Sequence, residues 1–248
     1  MKNTTLSANS LLACVLFVCF ASLANAQEQQ APTNELEPIS IAYTVSLKSE
    51  KYGNATLGKA QTTLSKTDAG YTVYQTTKAQ GMAAILLGSD FQESCDFLVG
   101  NGRAISNKYQ GGRSDLADFQ IVFDWQGRKI NFNDGESLDM PPGYVVNTCN
   151  LPFAAALSKG EVLSEETVYV VDGRKKRIRA YKFKSTKQEV LSTKFGDVDT
   201  LKVVLERELI PERTFTYWLS PKNSYIPLKM EEKRRKRTTT FMVDSIES

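Results

Sequence analysis

From residue 39 onward the hydrophobic and polar positions alternate with a period of two. Tyr43, Val45 and Leu47 share one face, as do Tyr71 and Val73, while threonines and lysines fill the other, the pattern of half-buried β-strands. Turn signals interrupt these runs at Tyr52-Gly53-Asn54, Asp68-Ala69-Gly70, Gln126-Gly127, Asp134-Gly135, Asp172-Gly173 and Gly196-Asp197. Asp-Gly supplies the positive φ angles of tight hairpins, so the pattern predicts an antiparallel meander. Strands are predicted near 39–48, 55–65, 71–79, 90–98, 104–111, 117–125, 129–133, 166–172, 176–185, 189–195, 198–209, 213–219, 225–232 and 237–246. Two segments break the alternation. Asn150-Leu151-Pro152-Phe153-Ala154-Ala155-Ala156-Leu157 has a capping asparagine, an early proline and an alanine-rich body, which predicts a short helix near 150–158. The octet GMAAILLG, from Gly81 to Gly88, carries Met82, Ile85, Leu86 and Leu87 between glycines. It reads as a buried strand or helical turn, or as an apolar flap over a cavity.

The chain opens differently. Lys2, the apolar run Leu11 to Leu23 and then Ala24-Asn25-Ala26 have the layout of an export signal ending at a small-x-small cleavage site. Residues 1–26 are therefore expected to be a signal peptide cleaved after Ala26, with the working protein in the periplasm. Leu11-Leu12-Ala13-Cys14 superficially matches a lipidation signal, but the apolar segment follows Cys14 instead of preceding it, which favours ordinary cleavage. Residues 27–38, beginning QEQQAPTN, are polar and read as a flexible leader to one β-rich domain over 39–248. No later segment approaches the length of apolar sequence that spans a bilayer as a helix.

Charge and cysteine count narrow the chemistry. The formal net charge is +3, of which the leader's Lys2 supplies one, too weak an excess to point to nucleic acid. Of four cysteines, Cys14 and Cys19 leave with the signal, so Cys95 and Cys149 remain. In an oxidising compartment that count suggests one disulfide, worth about 4 kcal/mol for so long a loop; the alternative is two separate buried thiols. The chain has no histidine, which removes the commonest general base, the Ser-His and Cys-His nucleophile pairs and most catalytic zinc sites. Neither a phosphate-binding glycine loop nor a calcium loop is present. No enzymatic activity, cofactor or metal is expected.

The remaining distinctive charges are two basic clusters. Arg174, Lys175, Arg177 and Arg179 follow the Asp172-Gly173 turn, and Arg234, Arg235 and Arg237 fall between two strand-like runs. Both should sit at hairpin ends. Together they could form a basic rim that meets an anionic lipid surface or head group, or they could simply keep exposed strands soluble. Alternation puts Tyr181 and Phe183 on the buried face. In 214–221, Phe215, Tyr217, Trp218 and Leu219 point to both sides of one strand, which predicts packing on both faces and a structural role for Phe215 and Trp218.

Gly196-Asp197-Val198-Asp199-Thr200-Leu201-Lys202-Val203, then Tyr217-Trp218-Leu219-Ser220-Pro221, then Tyr225-Ile226-Pro227-Leu228 resembles the C-terminal signature of the 3108 domain-of-unknown-function family, found in exported proteins of Gram-negative bacteria. Leu57-Gly58, Ala79-Gln80-Gly81, Phe123-Asp124-Trp125 and Val171-Asp172-Gly173-Arg174 agree with it, so the resemblance covers about 39–246. The sequence departs from the family at the helix entrance, where Asn147-Thr148-Cys149-Asn150 stands in place of Asp-x-Leu-Ser. The resemblance implies a mostly β protein: a single, strongly curved antiparallel sheet or partly open barrel with one short helix, similar in outline to the lipoprotein-carrier fold. It supplies no catalytic residues. The functional expectation is a periplasmic, non-enzymatic binding or envelope-maintenance protein that holds a lipid or other amphiphile in an apolar concave face, with peripheral contact to an anionic membrane. The alternative is a scaffold that pairs with an envelope partner through an edge strand or the basic hairpin tips.

Overall fold

The computed structural model describes residues 35–51, 53–81, 90–113, 116–159, 167–210 and 212–247, which belong to one compact unit. The expected signal peptide and the first part of the expected leader lie outside the described residues, as do Met82, Ile85, Leu86 and Leu87.

The N-terminal half runs β1 (Ile39–Ser49), β2 (Gly53–Thr67), β3 (Gly70–Ala79), β4 (Phe91–Gly100), β5 (Arg103–Arg113), β6 (Leu116–Asp124), β7 (Lys129–Phe132) and β8 (Ser137–Asp139). After β9 (Tyr144–Asn147) and α1 (Leu151–Leu157) come β10 (Thr167–Asp172), β11 (Arg177–Thr193), β12 (Gly196–Arg207), β13 (Arg213–Ser220), β14 (Ile226–Arg234) and β15 (Arg237–Glu247). All belong to one 15-stranded sheet in the order β8-β7-β6-β5-β4-β3-β2-β1-β15-β14-β13-β12-β11-β10-β9. Each half is a meander of neighbours in sequence, and the β1–β15 pair joins them in the middle. The two edge strands, β8 and β9, are consecutive in the chain, so Met140 to Gly143 must bring the ends of the sheet together across a seam. The curled, partly open sheet, antiparallel but for one pair, with one helix among the described residues, is the fold that the alternation and the family resemblance imply.

Cross-seam contacts explain why the ends meet. β9 packs on β5, and the turn between β10 and β11 packs on β5 and β6. Ala104 N donates to Tyr144 Oη at 3.2 Å. Cys95 of β4 and Cys149, between β9 and α1, form a disulfide with their Cα atoms 6.1 Å apart. Gly173 of the β10–β11 turn lies so close to β6 that an added Cβ would stand 2.4 Å from the Phe119 ring; only glycine lets that turn seat there.

The helix sits inside the curl. Every residue of α1 except Pro152 is buried, and the helix touches β5 and β9 as well as β13 and β14. Phe153 stacks on Phe97, which in turn stacks on Tyr71. The sequence expectation that Asn150 caps this helix is corrected, because its side chain makes no cap bond. Its Oδ1 instead accepts from Asn147 N and its Nδ2 donates to Ser106 Oγ. Asn147 Oδ1 accepts from the backbone N–H of Cys149 and Asn150. Ser106, Asn147 and Asn150 are wholly buried, so satisfying the backbone of this bend outweighs capping.

The other differences from the strand expectation have local causes. β11 is one strand where two are predicted, since a bulge between Phe183 and Ser185 absorbs the break in pattern. β9 escapes the period-two reading because all four of its residues are buried, and its pairing with β10 is parallel. The largest hydrophobic cluster gathers inward residues from both halves around α1, including Phe97, Ile121, Phe153, Leu205 and Leu219. A second joins Ile41, Tyr43 and Val45 of β1 to Leu191, Trp218 and Leu228. Most of the curl is therefore filled by its own side chains and by the helix.

Candidate functional site

The filling is not complete. Side chains from β3, β4, β5, β6, β10, β11, β13, β14 and β15 surround a cavity of about 340 Å³ that opens to solvent. Phe91, Phe119, Phe215, Tyr217, Met230 and Phe241 supply apolar wall. Phe215, expected to be purely structural, is half-buried and faces this space.

Two polar groups interrupt the wall. The first joins Glu93, Tyr109 and Thr148. Glu93 is on the inner face of β4 with Cys95 and Phe97, and Tyr109 comes from β5 across the pair. Tyr109 Oη donates to Glu93 Oε2 at 2.8 Å and lies 2.8 Å from Thr148 Oγ1. With the phenol hydrogen given to the carboxylate, Thr148 is the donor to Tyr109. Burial pushes the Glu93 carboxyl above its ordinary value, and the bond from Tyr109 pulls partly back. Burial likewise raises the Tyr109 hydroxyl, with the Glu93 charge adding to the rise.

The second group is basic. Alternation along β11 sends Arg177, Arg179, Tyr181 and Phe183 to one face, opposite Asp172, Val170, Val168 and Leu205 respectively. Asp172 Oδ2 lies 3.5 Å from Arg177 Nε and 3.3 Å from Arg179 Nη2. The Arg179 side chain is only 6% exposed, and its Nε and Nη2 are buried without a hydrogen-bond partner among the described residues, as are Arg177 Nε and Arg213 Nε. The Asp172 carboxylate is thus at ion-pair distance but misaligned. Burial raises the Tyr181 hydroxyl, and its hydrogen bond to Arg179 holds it back.

Neighbouring strands extend the group. Arg207 stands opposite Tyr181, and its guanidinium is pushed down by burial and then by the charges of Arg179 and Arg213. Arg213, Arg234 and Arg237 face one another in register across β13, β14 and β15. Arg234 is paired with Glu232. The outer face carries lysines instead: Lys182, Lys187 and Lys202 pair with Glu208 and Glu189.

The two basic clusters of the sequence do meet at one end, since Arg174, Arg179 and Arg234 line the same cavity. Their expected role as an outward rim needs correction in part. Arg179 is buried and faces the cavity, and Arg177 turns toward Asp172; only Arg174, Lys175, Arg234, Arg235 and Arg237 are exposed. The parity that buries Tyr181 buries Arg179 too, and this signal was present in the sequence. Glu93 shares its parity with Cys95 and Phe97 in the same way. Arg207 shares its parity with Val203 and Leu205, and Arg213 with Phe215 and Tyr217; Thr148, in the bend after β9, carries no comparable mark.

In fold, the chain is similar to the β-barrel-like protein of domain of unknown function DUF1849 from Brucella abortus, with a TM-score of 0.61, 12% identity, and coverage of 86% of this chain and 98% of that one. A domain described provisionally as an outer membrane lipoprotein-sorting protein, from Vibrio parahaemolyticus, matches at 12% identity over 85% of this chain and 84% of that one, but its TM-score of 0.25 carries no argument. No curated protein matches. The model of the family described as "Protein of unknown function (DUF3108)" matches residues 42–242, a span running from the first strand to the last and including every described strand that contributes to the cavity. The chain belongs to the DUF3108 family.

Proposed function

We propose that this protein is a non-enzymatic binding protein of the bacterial cell envelope that holds an amphiphile in the cavity of the curled sheet. The observation that carries the reading is the cavity itself, aromatic and apolar in its wall and crossed by arginines. Its volume of about 340 Å³ is in the range of small-molecule sites and suits a single chain better than a multi-chain lipid. The periplasmic part of this reading is supported by the export-signal layout of residues 1–26. Lys175, Arg235 and Arg237, exposed at the same end, are suited to peripheral contact with an anionic membrane during loading.

A scaffold role through edge pairing has less to support it. β8 has only three residues, and β9 is buried throughout, so neither offers a long open ladder. Native mass spectrometry of protein purified from the envelope fraction, before and after solvent extraction, tests the binding reading. The expected result is a co-purifying amphiphile that is lost on extraction and diminished by Phe215→Ala. Protein that emerges bare and shows no thermal shift with any single-chain amphiphile overturns it.

A further inference from the structure

We infer that the cavity binds its ligand head-first in one direction, with an oxyanion head group, carboxylate or phosphate, seated on the side-on fork of Arg179 and a single apolar chain running toward Tyr217, Met230 and Phe241. This deepens the binding reading above and rests on it. Nε and Nη2 are the two guanidinium donors spaced to meet both oxygens of one carboxylate or phosphate. In Arg179 both are buried and without a hydrogen-bond partner among the described residues, on a side chain 6% exposed that lines the cavity. Asp172 does not meet that need, because its Oδ2 is shared with Arg177 and is not aligned with the fork.

Charge balance points the same way. Arg174, Arg177, Arg179, Arg207, Arg213 and Arg234 gather against Asp172, Glu232 and Glu93, so cations outnumber carboxylates. Like charges directly opposed on neighbouring strands are unfavourable, yet Arg213 faces Arg234. An arrangement that costs stability in the empty protein is one an anion relieves. The choice of arginine on the inner face, with lysine outside, fits planar two-point recognition and not mere solubility.

Direction follows from register. On β13 the inward sequence is Arg213, Phe215, Tyr217; on β14 it is Arg234, Glu232, Met230. Tyr217 faces Met230, and Met230 faces Phe241. Arg213 to Tyr217 on β13 and Arg234 to Met230 on β14 are each four residues, roughly 13 Å at strand rise, which matches an extended chain of about ten carbons.

Isothermal titration of the mature protein with decanoate, decyl phosphate and 1-decanol, each below its micellar concentration, tests the inference. At least one anion should bind ten or more times tighter than decanol, and the tighter of the two identifies the head group. Arg179→Gln should remove that preference while decanol affinity stays within about twofold. Arg234→Gln, at a side chain 46% exposed, should reduce the preference about threefold and serves if Arg179→Gln does not fold. Equal binding of all three probes, or a preference untouched in whichever variant folds, overturns the anion seat but leaves the cavity reading standing. No binding of any probe to the wild type overturns both.

Discussion

Arg179 is the residue whose energetics are most at odds with a purely structural role. A buried guanidinium with two unsatisfied donors destabilises the ligand-free fold, and an apolar side chain of similar length removes that penalty. Because Arg177 still faces Asp172, Arg179→Met should raise the melting temperature of the protein without added ligand, while the anion preference disappears. A drop in melting temperature would instead assign Arg179 to holding Asp172. Glu93 offers a pH test. Its folded-state pKa is raised above the unfolded value, chiefly by burial, so the folded state holds the proton more tightly. Its contribution is greatest below the ordinary carboxylate range and is lost as pH rises through the raised value. Glu93→Gln should flatten that decline, giving a variant more stable than wild type at pH 8 and little changed at pH 4 by thermal unfolding. The sequence made the burial of both side chains readable, through their parity with Tyr181 and Phe97. What lies within reach of each belongs to the fold.

At the scale of elements, β13 does two jobs with its two faces. Tyr217 faces the cavity, whereas Trp218 is buried on the other side, under Lys202 and Lys229 at 4.8 and 4.1 Å from the ring. Its Nε1 donates to Glu189 Oε1 at 2.9 Å. Trp218→Ala should cost about 3–5 kcal/mol, measured by denaturant unfolding, with far less effect on ligand binding than Phe215→Ala. The Trp218 bond, joined by Lys187 and Lys202, pulls the Glu189 carboxyl down to about 2. This depressed pKa supplies stability that is present above the unfolded value and fades as pH falls toward about 2. Glu189→Gln should consequently be destabilising at pH 7, with the difference from wild type vanishing near pH 2. Strand positions, the helix and the turns were legible because each needs only local periodicity or turn chemistry. β8 and β9 were not: three residues are too few to show a period, and burial on both faces of β9 leaves no alternation to read. The cap assigned to Asn150 failed because a long-range partner, Ser106, competes for its side chain.

For the whole molecule, the weak place is the seam, where no ladder joins β8 to β9 and packing must close the curl. Cys95 and Cys149 bridge it and also bring Glu93 and Thr148, their near neighbours in sequence, to the same cavity wall. Loss of the bridge in Cys95→Ser should lower stability by about 4 kcal/mol in the chain-entropy model. The loss should appear as faster amide exchange in β9 and α1, with the β1–β15 pair still protected. Free labelling of both Cys95 and Cys149 in unfolded, unreduced protein taken from the envelope fraction would show that no bridge forms. Uniform loss of protection would place the bridge's effect outside the seam.

The sequence by itself determined the class of fold, nearly all of the strands, the helix, the cysteine pair and the family, because these depend on periodicity, turn residues and motif order along the chain. It also placed the two basic clusters at hairpin ends. Only the tertiary structure decided that those ends meet, that Arg177 and Arg179 turn inward, and that, among the described residues, a cavity is left between the two halves at the basic end. Arg207 and Arg213 reach Arg179 only through the register of β11, β12 and β13, and Glu93 meets Thr148 only across the seam. Register and closure are set by packing between residues far apart in sequence, and alternation within one strand contains no record of them.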